Sequence, residues 1–256
     1  MEIKFIGTGS GKTSLKRFHS SFIILADDFN LLVDAGDGIS KALLHNKISF
    51  EQIDGILFTH LHPDHFSGFA ALIVQMKLIN RTKKIKIFVH ESLSKFTKDF
   101  LFNSYLFEEK MDFEIDYELF QHNVQVLVSD KIKFISKQNS HLDQYIRYDK
   151  EKKLSFISSS ILFELDKKKL FYSGDIGSVK DLFLFEDNHV SRIITETTHL
   201  NKAELLTVLE KFKPEEIYLT HISDEGEYYL KEWKDSLSEG IRNKFVIAYD
   251  GMAVRI

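Results

Sequence analysis

The stretch Phe58-Thr59-His60-Leu61-His62-Pro63-Asp64-His65 decides how this chain is read. It follows a short apolar run at 55–58. It precedes an apolar stripe at helical spacing, made of Phe66, Phe69, Leu72, Ile73, Met76 and Ile79. The segment is therefore a strand-to-helix turn. His60 and His62 stand two apart, so at an extended strand end they share a side. Asp64 and His65 fall where the chain enters the helix and can aim elsewhere. Four candidate ligands within six residues can serve two adjacent cations rather than one. Neutral imidazole and carboxylate suit zinc, manganese or iron better than magnesium or calcium. A helix cap would explain Asp64 and Pro63, but not three histidines in six residues.

The remaining composition bounds the setting. Of 256 residues, 43% are hydrophobic and 28% charged, an ordinary globular balance. No apolar stretch reaches the roughly 18 residues of a membrane span. The first residues lack the apolar core of a secretory signal. A cytoplasmic protein with no membrane partner is expected. The absence of cysteine excludes disulfides, thiolate zinc ligands and a cysteine nucleophile. Lys and Arg total 34 against 38 Asp and Glu, a net charge of −4; a protein that grips nucleic acid over a wide surface is usually basic.

No repeat or Ser/Gly/Pro linker interrupts the chain, so one domain over 1–256 is expected. Periodicity predicts strands at 2–6, 21–25, 30–33, 55–58, 85–89, 132–136, 155–164, 169–173, 192–196, 216–220 and 244–249. It predicts helices at 38–44, 66–79, 92–102, 179–185, 202–212 and 227–237. Residues 103–130 are the least readable, and 92–130 look like a helix and short strands. Two β-rich blocks, each joined to helices, predict an α/β fold with two sheets face to face and helices outside.

The H-x-H-x-D-H string closely resembles the signature of the metallo-β-lactamase-fold hydrolases. Other stations follow in order: Leu31-Leu32-Val33-Asp34-Ala35-Gly36, then His141, then Phe171-Tyr172-Ser173-Gly174-Asp175, then Tyr218-Leu219-Thr220-His221. The resemblance covers essentially the whole chain and implies a four-layer αββα sandwich. It implies two divalent metal ions, zinc foremost with manganese or iron as alternatives. His60, His62 and His141 would bind the first ion, Asp64, His65 and His221 the second, and Asp175 both. A water or hydroxide between them would be the nucleophile, and Asp34 would brace a ligand by hydrogen bonding. A homodimer is also in keeping with the resembled family.

The fold hosts many reactions, so the substrate must come from details. Phe5-Ile6-Gly7-Thr8-Gly9-Ser10-Gly11, with Arg17 and Ser20-Ser21, resembles the opening of the ribonuclease Z and phosphodiesterase branch, and Ala248-Tyr249-Asp250-Gly251-Met252 resembles its ending. The glycine segment is neither a P-loop nor a dinucleotide fingerprint, because position 6 is Ile6 and position 12 is Lys12. In Thr195-Glu196-Thr197-Thr198-His199, His199 is placed to protonate a leaving alkoxide, with Glu196 orienting a histidine. Asp64, Glu196 and His199 are thus the candidate catalytic residues. The acidic run after His221 and the absence of a Gly/Pro-rich arm in 92–130 favour a small phosphodiester, such as a cyclic nucleotide or an RNA 3′ end. A tRNA 3′-processing endonuclease and a lactone or thioester hydrolase are the alternatives, and a metal-binding scaffold without turnover is the non-enzyme one. His19, His45, His90, His122 and His189 match no station and are expected on the surface or in loops.

Overall fold

Alternation along the strands explains why two sheets form. The computed structural model describes residues Met1–Ile256. Strand β1 spans Glu2–Gly7, β2 Ser21–Leu25, β3 Asn30–Val33, β4 Gly55–Leu57, β5 Ile85–His90, β6 Ile115–Phe120 and β7 Gln125–Leu127. Strand β8 spans Ile132–Gln138, β9 Ser159–Leu165, β10 Lys168–Tyr172, β11 Arg192–Glu196, β12 Glu216–Thr220, β13 Phe245–Ile247 and β14 Ala253–Arg255. One seven-stranded sheet runs β14-β1-β2-β3-β4-β5-β6 and the other runs β13-β12-β11-β10-β9-β8-β7. Phe22, Ile24, Leu31 and Val33 of the first sheet meet Phe134, Phe163, Leu170 and Tyr172 of the second in one buried cluster. Their neighbours Ile23 and Leu32 face the other way, against α1 (Ile39–His45) and α3 (Phe69–Leu78). On the far side, Phe171, Ile193 and Ile217 pack under α5 (Lys202–Phe212) and α6 (Asp224–Ser236). Every central strand is apolar on both faces because both faces are covered. The result is a four-layer αββα sandwich.

Parallel pairing sets where the site falls. Strands β3-β4-β5-β6 run parallel, as do β10-β11-β12-β13. Their carboxyl ends collect at one edge of the sandwich, the usual crevice for ligands in sheets of this kind. Left-handed backbone turns the chain at three of these ends, with φ of 61° at Asp34, 60° at Gly174 and 55° at His221.

Several expectations need correction. The helix expected at 66–79 is two pieces, α2 (Pro63–Phe66) and α3, broken at Ser67-Gly68. There the Gly68 N–H donates to the Ala35 carbonyl. The strand expected from 155 begins only at Ser159, where its ladder with β8 ends at the pair Gln138–Ser159. Residues 179–183 form a 3-10 turn, capped by Ser178 and Asp181, rather than an α-helix. The least readable region, 103–130, holds β6 and β7, in keeping with the short strands expected there. β14 was not expected. His90 is not a surface residue: it ends β5 with 7% exposure and its ring lies 4.5 Å from that of His122. Burial and the facing His90 push His122 down to about 4, so the two rings pack as a neutral pair.

The break in the helix is a packing requirement. A Cβ on Gly68 would lie 2.1 Å from the Gly36 carbonyl oxygen, and one on Gly36 would lie 1.9 Å from the Asp64 carbonyl oxygen. The early aspartate loop and the histidine turn therefore touch backbone to backbone. Helix propensity alone would favour alanine at Gly68 by about 1 kcal/mol, but the clash reverses the sign. Gly68→Ala should lower stability by about 1–3 kcal/mol, read as a shifted urea midpoint with unchanged slope.

Candidate metal centre

Seven side chains meet at the edge where the strand ends collect. His60, His62 and His141 form one group, and Asp64, His65, Asp175 and His221 a second, with the donor atoms of each group within 4.8 Å of one another. Asp175 lies between the two. Its Oδ1 is 3.3 Å from His65 Nε2, and its Oδ2 is 3.2 Å from His221 Nε2 and 3.8 Å from His141 Nε2. Asp64 Oδ2 lies 3.3 Å from His221 Nε2 and 3.5 Å from His65 Nε2.

The surroundings aim the lone pairs. Asp34, fully buried at the end of β3, accepts from the Thr59 backbone N–H at 2.8 Å and from its hydroxyl. Asp34 also takes His65 Nδ1–H at 2.8 Å, which leaves the His65 Nε2 lone pair facing Asp64 and Asp175. Since the Thr59 hydroxyl proton goes to Asp34, its oxygen can accept from His60 Nδ1 at 3.1 Å, freeing His60 Nε2. Thr198 treats His221 similarly: its hydroxyl lies 2.9 Å from the His221 carbonyl oxygen and 2.8 Å from His221 Nδ1. These braces fix the ring tautomers in the way metal-binding histidines require.

Buried, unpaired polar atoms provide the fit test. His60 Nε2 and His65 Nε2 are buried without a hydrogen-bond partner, a costly arrangement unless something else satisfies them. His141 Nε2 and His62 Nδ1 face each other at 3.0 Å. Two neutral imidazole nitrogens so placed share one proton or repel, and a cation along their common lone-pair direction resolves the conflict. Burial, then neighbouring histidines, holds His60 well below the usual imidazole range. Burial also lowers His62 and His141 against the pull of Asp64 and Asp175. All three stay neutral, the form that binds a metal. In the second group burial works to lower His65 and His221, but Asp175 outweighs it, helped by Asp34 at His65 and by Asp64 at His221, and both are raised. Burial would raise Asp175, yet His221 and His65 hold it well down. This half is a carboxylate-rich pocket that carries protons where a cation would otherwise sit. The donor set fits two divalent ions with nitrogen and oxygen ligands.

Glu196 and His199 stand over this cluster. Glu196 is buried at the end of β11, and its Oε1 accepts from His199 Nδ1 at 2.6 Å. Its Oε2 accepts the backbone N–H groups of Thr198 and His199 at 2.7 and 2.9 Å. The His199 ring lies 5.4 Å from the His141 ring and 6.4 Å from that of His221. The hydrogen bond to Glu196 raises His199 above the usual imidazole range, despite partial burial.

Sequence reasoning missed several supporting residues. Thr59 and Thr198 stood inside quoted segments without a role. Asp181 had no motif at all, yet its carboxylate accepts from Ser140 N–H and hydroxyl and from the Gly177 and Ser178 N–H groups. It thereby ties the loop of His141 to the loop of Asp175. The acidic run after His221 also has a local explanation. Asp224, Glu225 and Glu227 engage Ser14, Lys12 and Arg17, so they pin the N-terminal glycine loop. Of that loop, Gly11 reaches the site, where a Cβ would lie 2.9 Å from Asp64 Oδ2; Gly7 and Gly9 pack against residues 17–19 instead.

The fold is the metallo-β-lactamase αββα sandwich, and at its strand ends stands a His/Asp cluster that could hold metal ions. Residues 1–242 match the family described as "Anti-Pycsar protein Apyc1", and the chain belongs to that family. It is similar to the Anti-Pycsar protein Apyc1 of Bacillus phage BSP38, 24% identical over 241 residues that cover 90% of this chain and 91% of that one. It is also similar to ribonuclease Z of Saccharolobus islandicus, 33% identical over 118 residues; that match covers 46% of this chain and only 39% of the archaeal enzyme. The fold is shared with the metallo-β-lactamase fold protein YhfI from Bacillus subtilis, at a TM-score of 0.76 and 18% identity over 99% of this chain and 98% of that one.

Asp34→Asn tests the bracing. Asparagine tolerates the left-handed backbone at this position. With its amide oxygen turned to Thr59, its NH2 faces His65 Nδ1 and drives the ring proton onto Nε2. Zinc affinity at the second group should fall about 10–100-fold in a competitive chelator titration, with the circular dichroism spectrum retained.

Proposed function

We propose that the protein is a dinuclear metal-dependent phosphodiesterase acting on a small phosphodiester, with a cyclic nucleotide or an RNA 3′ end as the leading classes. The observation that carries this reading is the pairing of two ligand groups around Asp175 with an acid-bearing Glu196–His199 pair on the same rim. His60, His62 and His141 would hold one divalent ion, Asp64, His65 and His221 the other, and Asp175 both. Such an ion pair supplies Lewis acidity toward the phosphoryl oxygens and an activated water. Thr59, Asp34 and Thr198 keep the imidazoles in the ligating tautomer. The Glu196 carboxylate holds His199 by Nδ1, so His199 Nε2–H is free to donate to the departing alkoxide.

The archaeal ribonuclease Z match favours tRNA 3′ processing as a second reading. Against it stand the net charge of −4 and residues 91–127, which fold as helical turns, α4 (Ser94–Asn103), β6 and β7 rather than as an extended arm. Turnover of 2′,3′- and 3′,5′-cyclic nucleotides against pre-tRNA separates the two.

Asp64→Ala should reduce hydrolysis of bis(p-nitrophenyl) phosphate by the zinc-loaded protein to background, with thermal unfolding little changed. Undiminished turnover of that variant would remove Asp64 from the reaction.

His199 gives a pH signature. Its raised pKa means the protonated acid is present at low pH and is lost as pH rises through a value above 6.5. Rates on alkoxide leaving groups should fall along that alkaline limb. His199→Ala should lower those rates about 10²–10⁴-fold and abolish the limb. It should largely spare p-nitrophenolate, which departs without a proton.

A further inference from the structure

Two of the seven cluster residues, His141 and Asp175, have no brace of their own. His60, His65 and His221 are each held at Nδ1, by Thr59, Asp34 and Thr198. His62 and Asp64 lie in the same tight turn as His60 and His65. By contrast, His141 Nδ1 has no partner, and the Asp175 carboxylate meets His65, His141 and His221. The positions of these two side chains must therefore come from the loops that carry them.

Three side chains hold those loops. Asn139 Oδ1 accepts the His141 N–H at 3.1 Å, and its Nδ2 donates to the Ser160 hydroxyl at 3.1 Å and to the Ser173 carbonyl at 3.4 Å. Glu196 Oε1 accepts the Ile176 N–H at 3.2 Å in addition to His199. Asp181 reaches both loops beside the ligands themselves. It accepts the Ser140 hydroxyl at 2.7 Å and the Ser140 N–H at 3.2 Å on one side, and the N–H groups of Gly177 at 2.9 Å and Ser178 at 3.1 Å on the other. The loops touch with no room between them: a Cβ on Gly177 would lie 2.2 Å from the Ser140 carbonyl oxygen. Asp181 is 5% exposed. Its partners at this junction are N–H and O–H donors, and such bonds to a carboxylate are about twice as strong as neutral ones. Removing the carboxylate would leave donors on both loops unpaired.

We propose that Asp181 is a positioning residue that makes His141 and Asp175 one ligand unit, and thereby sets the affinity of both ion sites at once. The inference rests on the two-ion reading above and adds to it the residue that fixes the two ligand groups relative to each other. His141 belongs to the first group and Asp175 faces both, so a shift of the junction displaces a donor from each ion. Asp34 differs, because the imidazole it holds is His65, in the second group only.

Zinc titration of the metal-free full chain against a competing chelator, with native mass spectrometry to count the ions, tests this without any turnover. The unaltered chain should take up one zinc ion for each ligand group. Asp181→Asn keeps the size and loses the charge, and should weaken both binding steps about 10–100-fold, the scale of a lost partner behind the ligands. Asp34→Asn should weaken one step only. Ser140→Ala removes the hydroxyl contact across the junction and should weaken both steps by a smaller factor; it decides the matter if Asp181→Asn does not fold. Turnover of bis(p-nitrophenyl) phosphate by Asp181→Asn should recover as zinc is raised, with KM unchanged. Zinc affinity unchanged in both junction variants overturns the inference, as does a loss confined to one step. A lowered urea midpoint of the metal-free chain with both zinc affinities kept also overturns it, since Asp181 would then be a turn cap and nothing more. Failure of the function proposed above looks different: the unaltered chain binds zinc at both groups and hydrolyses no phosphodiester.

Discussion

Five imidazoles and two carboxylates are crowded at one edge of the sandwich, mostly out of water. Several of their nitrogens lack any protein partner. Burying polar atoms unpaired is costly, so such a cluster persists only if the rest of the fold holds it in place. Much of the local structure is arranged around this constraint. Asp34 serves Thr59 and His65 together, Thr198 restrains His221, and Asp181 joins the loops bearing His141 and Asp175.

The backbone supports the same cluster. Gly36 and Gly68 let two loops lie against each other with no side chain between them. Left-handed residues at the ends of β3, β10 and β12 turn the chain where the cluster needs it. The acidic start of α6 holds the N-terminal loop by Lys12 and Arg17, which keeps Gly11 against Asp64. Charges that read in the sequence as repelling a polyanion are thus largely taken up within the protein.

The two halves of the cluster differ in electrostatic character. Three histidines stay neutral because burial and mutual repulsion disfavour charge. On the other half, Asp175 draws positive charge to His65 and His221, helped by Asp34 at the first and Asp64 at the second. On the His62 side lies an apolar cavity with aromatic walls.

The His60–His65 turn was legible because ligands close in sequence must be close in space. The strands flanking it were legible because both faces of the central strands are buried, so apolar runs are long enough to read. His141, Asp175 and His221 could be named only through a family resemblance, since no local pattern distinguishes a ligand from a turn residue. Edge strands β7 and β14 were hard to place because three residues show no period, whereas Ile115, Tyr117 and Leu119 of β6 do alternate with Asp116 and Glu118. The break at Gly68, the burial of His90, the role of Asp181 and the cavity beside His62 were decided by tertiary structure alone. Each arises from a contact between segments far apart in the chain, and local sequence periodicity carries no record of distance between such segments.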